Sequence, residues 1–255
     1  MPAATDRDLL PEPRGVRTTR SRGRMSAHKR TVLTNIAPRW AVTASTAEWA
    51  RLGLASGFGA DGPLYLDIGV GVGTATRAWA IEHPTARVLA IEVFRPGLAQ
   101  LVEQLEAEGP ENVRVAEGDA VQILAAIEPS TVSAIRVLFP DPWPKRRHHR
   151  RRLVDAAFVE RAATLLISDG ELHVATDWDD YAAQVRTLLD QEPRFTAVPD
   201  DSGGAGNAPW RSARPERPTT TYEARGLAEG RAVTDLVARR VDGAAASPDA
   251  RATTE

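Results

Sequence analysis

The sequence contains no cysteine. That absence excludes disulfides, thiolate metal sites and any mechanism that runs through a covalent cysteine adduct. Lysine is nearly missing as well: Lys29 and Lys145 stand against 30 arginines. Aromatic residues make up 5% of the chain. No run of about 18 apolar residues occurs, so no segment reads as bilayer-spanning. The opening MPAATDRDLLPEP has no apolar stretch and carries acids early, which argues against a secretory leader and makes the cytoplasm the expected location. What is present, 255 residues at 42% hydrophobic and 26% charged, suits one large globular domain.

The formal net charge of −2 conceals an uneven distribution. Residues 14–30 hold seven arginines or lysines and residues 145–152 hold six, with no acid in either block. The remaining 230 residues carry a net charge of −15. Two such dense cationic blocks repel unless an anion lies beside them, and a polyphosphate fits. A solvated face with a basic tail is the plainer alternative. His148 and His149 sit inside the second block with no partner at ligand spacing among His28, His83 or His173, so no metal site is expected. Protonation below neutral pH would instead add to the block's charge.

Short runs rich in Val, Ile and Leu alternate with helical patterns. Strands are expected at 64–68, 87–93, 113–116, 134–139 and 171–175, with a closing strand at 232–240. Helices are expected at 74–82, 96–108, 120–127, 153–167 and 177–189. That alternation describes a doubly wound α/β domain with a parallel sheet, whose ligands bind beyond the carboxyl ends of the strands. Residues 1–24 are expected as a flexible basic tail, 25–241 as the domain and 242–255 as a second flexible tail. The Pro- and Gly-rich stretch 199–218 is long enough to be either functional or disordered. Residues 14–30 would fold only against a polyanion. Trp40 and Trp49 are candidates for stacking on bases, whereas Trp79 falls on an expected helix and reads as core.

The turn Asp67-Ile68-Gly69-Val70-Gly71-Val72-Gly73 follows an expected strand and opens an expected helix. That is the setting of a nucleotide-binding turn, in which glycine lets the backbone approach the ligand. Thr74 replaces the last glycine of the dinucleotide fingerprint, and Asp67 would repel a pyrophosphate. S-adenosylmethionine, a sulfonium without phosphate, suits the arrangement better than NAD. Glu92 at the end of the second strand is placed to accept from ribose hydroxyls, and Asp119 at the end of the third from an adenine amine. Each acid taken singly is equally a strand-end or capping residue.

The fourth strand runs into Phe139-Pro140-Asp141-Pro142-Trp143-Pro144-Lys145. Three prolines in this stretch stiffen a loop that presents an acid, an indole and a lysine at the ligand edge. A packed Pro-rich turn is the plainer reading. Adenine amino-methyltransferases use a related Asp-Pro-Pro-aromatic motif, but the second proline is absent here.

These stretches together resemble the bacterial tRNA (guanine-N7)-methyltransferases. The matching segments are SRGRMSAHKR (21–30), LDIGVGVG (66–73), AIEV (90–93), GDA (118–120), LFPDPWPKRRHHRRR (138–152), HVATDW (173–178) and RPTTTYEARG (217–226). The resemblance implies a Rossmann-like class I methyltransferase fold with a seven-stranded, mostly parallel sheet. It also implies methylation at N7 of the guanosine in the tRNA variable loop, with S-adenosylmethionine as donor and no obligatory protein partner. Asp67, Glu92, Asp119 and Asp141 would line the cofactor pocket beside Gly69, Gly71 and Gly73. Lys145, Asp177, Thr220, Thr221, Tyr222 and Glu223 would contact the substrate. Arg147, His148, His149, Arg150, Arg151 and Arg152 would contact the RNA. Asp141 would be the catalytic group, accepting from guanine N1–H and the exocyclic amine. Two positions depart from the family: Asp67 stands where Glu is common, and Thr221 where Lys is common. An NAD-dependent oxidoreductase, a non-catalytic RNA-binding module and methylation of an adenine amine are the rival readings.

Overall fold

The computed structural model describes residues 25–42, 58, 60–198 and 217–242. Two short helices come first, α1 (Ala27–Asn35) and α2 (Ala37–Trp40). The alternating part follows: β1 (Leu64–Ile68), α3 (Thr74–Glu82), β2 (Arg87–Glu92), α4 (Arg95–Glu108), β3 (Val113–Glu117), α5 (Ala120–Ala126) and β4 (Val132–Leu138). After a 3-10 helix (Arg146–Arg151) come α6 (Ala156–Leu165), β5 (Leu166–Thr176), α7 (Asp179–Asp190), β6 (Phe195–Ala197), α8 (Thr221–Ala228) and β7 (Thr234–Arg240). The sheet has seven strands in the order β3-β2-β1-β4-β5-β7-β6. The first five are parallel, and β7 runs antiparallel to both β5 and β6. The chain winds outward from β1 to β3 and then crosses back to β4. A crevice therefore opens between the carboxyl ends of β1 and β4.

The strands sort their side chains by period two. Leu64, Leu66 and Ile68 join the core shared with α5, α6 and α7, while Val88, Ala90, Val113 and Val115 pack with α1, α2 and α4. Burial on both faces explains the near-continuous apolar runs of β1 and β2. Helix α4 supplies Leu98, Leu101, Val102 and Leu105 at helical spacing.

Four local expectations need correction. The helix expected at 153–167 is shorter at both ends: Asp155 caps it by accepting from the Phe158 N–H at 3.0 Å, and Leu166 already pairs with Val132 of β4. The apolar triplet at 165–167 continues a helical pattern, so periodicity misses this stop. Residues 27–30 do not wait for a polyanion. Ser26 caps α1, Val32 and Leu33 bury beneath it, and the Lys29 Nζ donates to the Pro96 carbonyl at 3.0 Å. Strand β6 and helix α8 were not expected as elements. The signal for α8 was in the sequence, because Thr220 and Glu223 form a reciprocal capping box. The expected tails at 1–24 and 243–255, and 199–216 of the Pro/Gly-rich stretch, lie outside the described residues.

One face of the sheet carries buried charge. On β1, Asp67 accepts from Arg136 of β4 at 2.7 Å and from the Thr76 hydroxyl of α3 at 2.7 Å. Farther along, His173 of β5 meets Asp235 of β7 at 2.7 Å. Arg217 bridges Asp235 at 3.1 Å and Glu223 at 2.6 Å. Burial holds His173 below its ordinary value, so it stays neutral and donates to Asp235. Despite its own burial, Asp235 is held below the usual carboxylate value by His173 and Arg217.

A histidine kept neutral stabilises the fold fully above the ordinary histidine value of 6.5, and that contribution is lost as the pH falls below it. The contribution of Asp235 is lost only below the ordinary aspartate value of 3.8. Urea midpoints measured from about pH 7.5 to about pH 5.5 should therefore fall, with a shallower fall in His173→Gln, which keeps a donor without the titration. Equal slopes in the two proteins would show that His173 does not control this range.

Candidate active site

A cleft opens at the β1/β4 crevice, where ligands of doubly wound sheets bind. It is lined by the glycine turn together with Phe94, Leu138, Thr220, Thr221 and Tyr222. Gly69, Gly71 and Gly73 have φ values of +74°, +57° and +80°. At Gly69 an added Cβ would meet nothing within 4 Å, and at Gly71 only the Tyr222 ring, at 3.6 Å. At Gly73 it would stand 2.3 Å from Leu101 Cδ1. The first two glycines thus keep the cleft open, while the third lets α3 approach α4.

Glu92 fixes this turn. Its carboxylate accepts from the backbone N–H groups of Gly71 at 2.7 Å, Val93 at 2.7 Å and Phe94 at 2.8 Å. Burial nonetheless raises its pKa above the ordinary value, opposed by those three donors and aided by the nearby Asp141 carboxylate. Tyr222 is raised in turn by burial, by Glu92 and by Asp141. The three side chains therefore share one electrostatic neighbourhood, in which Tyr222 lines the cleft and Asp141 is exposed.

Other expected site residues have work elsewhere. Asp67 lines the cleft, but Arg136 neutralises it, so its supposed repulsion of a pyrophosphate does not hold. Asp119 caps α5, accepting from the Val121 N–H at 2.9 Å. Asp177 accepts from Arg231 Nε at 2.7 Å and packs against Gly226 of α8, where a Cβ would lie 2.5 Å from its Oδ2. Glu223 is 2% exposed and pairs with Arg217 while completing the capping box of α8. Trp40 is 1% exposed, with its indole N–H donating to Glu106 at 2.8 Å, so it does not stack on bases. Trp79 stacks on Tyr65 and under Arg136. Trp49 lies outside the described residues.

The basic run forms a 3-10 helix with no buried residue over Arg146–Arg151. Lys145 stands at its N-terminal end and is exposed, as are Arg146, Arg147, Arg150 and Arg151. The Arg151 guanidinium lies over the Trp143 ring at 4.9 Å. His149 pairs with Asp180 at 3.5 Å. Partial desolvation and then Arg151, Arg147, Lys145 and Arg150 push His148 below its ordinary value, so it contributes charge only at lower pH than expected. Arg152 departs from the rest. Its side chain is 1% exposed and donates to the Pro142 carbonyl at 2.8 Å, Gln184 at 2.7 Å and Asp180 at 2.5 Å. Its donors are thereby committed inside the protein, which sets Arg152 apart from the exposed arginines of the run. Arg136 and Arg217, absent from the expected set, are the buried cations that hold the cleft's surroundings.

Residues 61–236 match the family model described as a putative methyltransferase. The tRNA (guanine-N(7)-)-methyltransferase of Nitrosospira multiformis is 40% identical over 87% of this chain and 93% of its own length. The enzyme of that name from Bordetella pertussis is 38% identical over 86% and 82% respectively. The chain belongs to the bacterial tRNA (guanine-N7)-methyltransferase family. A solved variant of the 16S rRNA (adenine(1408)-N(1))-methyltransferase from Catenulisporales acidiphilia has the same fold. Its TM-score is 0.50 at 14% identity, over 80% of this chain and 95% of that one.

Methyltransferases of this family use S-adenosylmethionine, and the cleft fits that donor. The glycine turn leaves open space at Gly69, and Phe94 and Leu138 add apolar surface suited to an adenine or thioether.

The glycines allow two roles to be separated. Gly69→Ala should keep the fold at a cost of about 1–2 kcal/mol for its left-handed backbone, yet weaken S-adenosylmethionine binding about tenfold or more by calorimetry. Gly73→Ala should lower the melting temperature further, because its methyl group collides with Leu101. Equal effects on both readouts would contradict this division.

Proposed function

We propose that this protein transfers a methyl group from S-adenosylmethionine to N7 of a guanosine in the variable loop of tRNA, in the cytoplasm. The observation that carries the reading is the placement of Asp141. It belongs to a proline-stiffened loop, lies close enough to Glu92 and Tyr222 to raise both, and the next segment of chain is the exposed basic helix.

Guanine N7 has a lone pair and no proton, so transfer requires neither a strong base nor a cysteine. Bound in the cleft, S-adenosylmethionine supplies a methyl group on a sulfonium, and the N7 lone pair takes it as a neutral thioether leaves. Positive charge then appears on the purine, where the carboxylates of Glu92 and Asp141 stabilise it. Asp141 accepts from guanine N1–H and the exocyclic amine, which selects guanine and aims N7. Lys145 holds a phosphate or guanine O6, and Thr220, Thr221 and Tyr222 line the cleft. Most of the acceleration comes from alignment.

Radiolabelled methyl should pass from S-adenosylmethionine to unmodified bulk tRNA and be recovered as 7-methylguanosine. Binding without label would favour an RNA-binding module, and label on adenosine would discard the role of Asp141. Asp141→Asn should lower turnover about a hundredfold through misaligned guanine, and full turnover would refute its assignment. For RNA binding, the Arg150→Ala, Arg151→Ala double variant should shallow the salt slope by about one unit per lost phosphate contact. Arg152→Ala should lower the melting temperature instead, and an equal slope change there would place Arg152 on the RNA surface.

A further inference from the structure

The loop that carries Asp141 has a costly backbone. Phe139 and Trp143 have φ values of +53° and +45°, a region that costs a non-glycine residue about 1–3 kcal/mol. Both also precede prolines, which restrict them further. Strain of this kind persists only where the surroundings impose it.

Two buried arginines act on either side of Asp141 in this loop. Just after it, Arg152 donates to the Pro142 carbonyl, while its other nitrogens hold Gln184 and Asp180 of α7. The Tyr181 ring backs its guanidinium at 4.6 Å. Where the loop begins, the Arg217 guanidinium lies 5.4 Å from the centre of the Phe139 ring while it bridges Glu223 of α8 and Asp235 of β7. Their side chains are 1% and 2% exposed, so neither reaches a ligand. The loop is thereby fixed to α7 on one side of Asp141 and to α8 on the other.

We infer that Arg152 and Arg217 are positioning residues that hold Asp141 in place by clamping its strained loop on either side of it, at Pro142 and at Phe139. The inference rests on the role given to Asp141 above. Lysine at either position keeps the charge but offers one nitrogen, which cannot serve all three anchors of Arg152 or both carboxylates of Arg217 with the same geometry.

The test uses Arg152→Lys, Arg217→Lys and Gln184→Ala, which removes one anchor of Arg152 and leaves the arginine itself. Each is measured alone and combined with Asp141→Asn, in the full chain. Among variants that melt cooperatively, turnover at saturating S-adenosylmethionine and tRNA should fall about tenfold or more. Dissociation constants for both should stay within about twofold, and amide exchange at Asp141 and Trp143 should quicken. In the Asp141→Asn background the same changes should cost less than about twofold, because the group they position is gone. Losses that multiply, or loop exchange that does not change, would overturn the clamp and leave the role of Asp141 standing. Wild-type turnover in Asp141→Asn alone would overturn that role, and loop exchange would still decide the clamp. Should Arg152→Lys fail to fold, Gln184→Ala and Arg217→Lys carry the same comparison.

Discussion

Arg136 lies in β4, inside a parallel sheet covered on both faces, and is 4% exposed. A cation there is tolerable only if it is paired and hydrogen-bonded. Asp67, its register partner on β1, meets that requirement with two of the arginine's nitrogens. The pairing has consequences for everything near the cleft. It closes β1 against β4 at the crevice, and through Thr76 it ties the first turn of α3 to the strand that precedes the glycine turn. Trp79, lying over the Arg136 guanidinium at 4.1 Å, fixes the next turn of the same helix. The glycine turn is therefore stretched between two held ends, and Glu92 then gathers its backbone from the side. Charge buried beneath the site, more than apolar packing alone, defines the shape of the cleft.

The parallel core was legible because its signals are local and repeated. Apolar strands, helical periodicity and the glycine turn each appear within a few residues, and the family's motifs add the rest. What escaped depends on partners distant in sequence. Asp67, Asp119, Asp177 and Glu223 are carboxylates at strand ends or helix starts, and residue type alone cannot say whether such a group faces a ligand, caps a helix or neutralises an arginine. For Asp67 and Asp177 the difference comes from Arg136 and Arg231, 69 and 54 residues away. Arg152 shows the same limit within a single run. It is chemically identical to Arg150 and Arg151, and only its placement against α7 separates an anchor from an RNA-facing cation. The capping box of α8 is the opposite case, a local signal that the substrate reading of Thr220–Glu223 obscured.

Arginine does several distinct jobs in this chain. The interior positions use the planar fork: Arg136 on Asp67, Arg152 on three acceptors, Arg217 between two carboxylates and above a ring. A lysine ammonium, a compact point charge, cannot reproduce that geometry. The exposed positions of the 3-10 helix need only charge, and there lysine would serve a phosphate nearly as well. The composition therefore reads two ways at once, as structural cement inside the sheet and as an electrostatic surface at its carboxyl edge.

The chemistry explains where the structure spends its strain. Methyl transfer to a lone pair needs no proton relay, so there is little for an acid or base to accelerate. The rate depends instead on how narrowly the acceptor is aimed along the bond that breaks. A flexible loop bearing an aspartate would bind guanine and still allow it to swing. A loop held in an unfavourable backbone between three prolines, with an arginine on either side of Asp141, allows far less. The cost of that backbone is constant whether or not substrate is present, whereas the benefit appears only when guanine is bound. The fold meets the cost in advance, through buried ion pairs that never touch the reacting atoms.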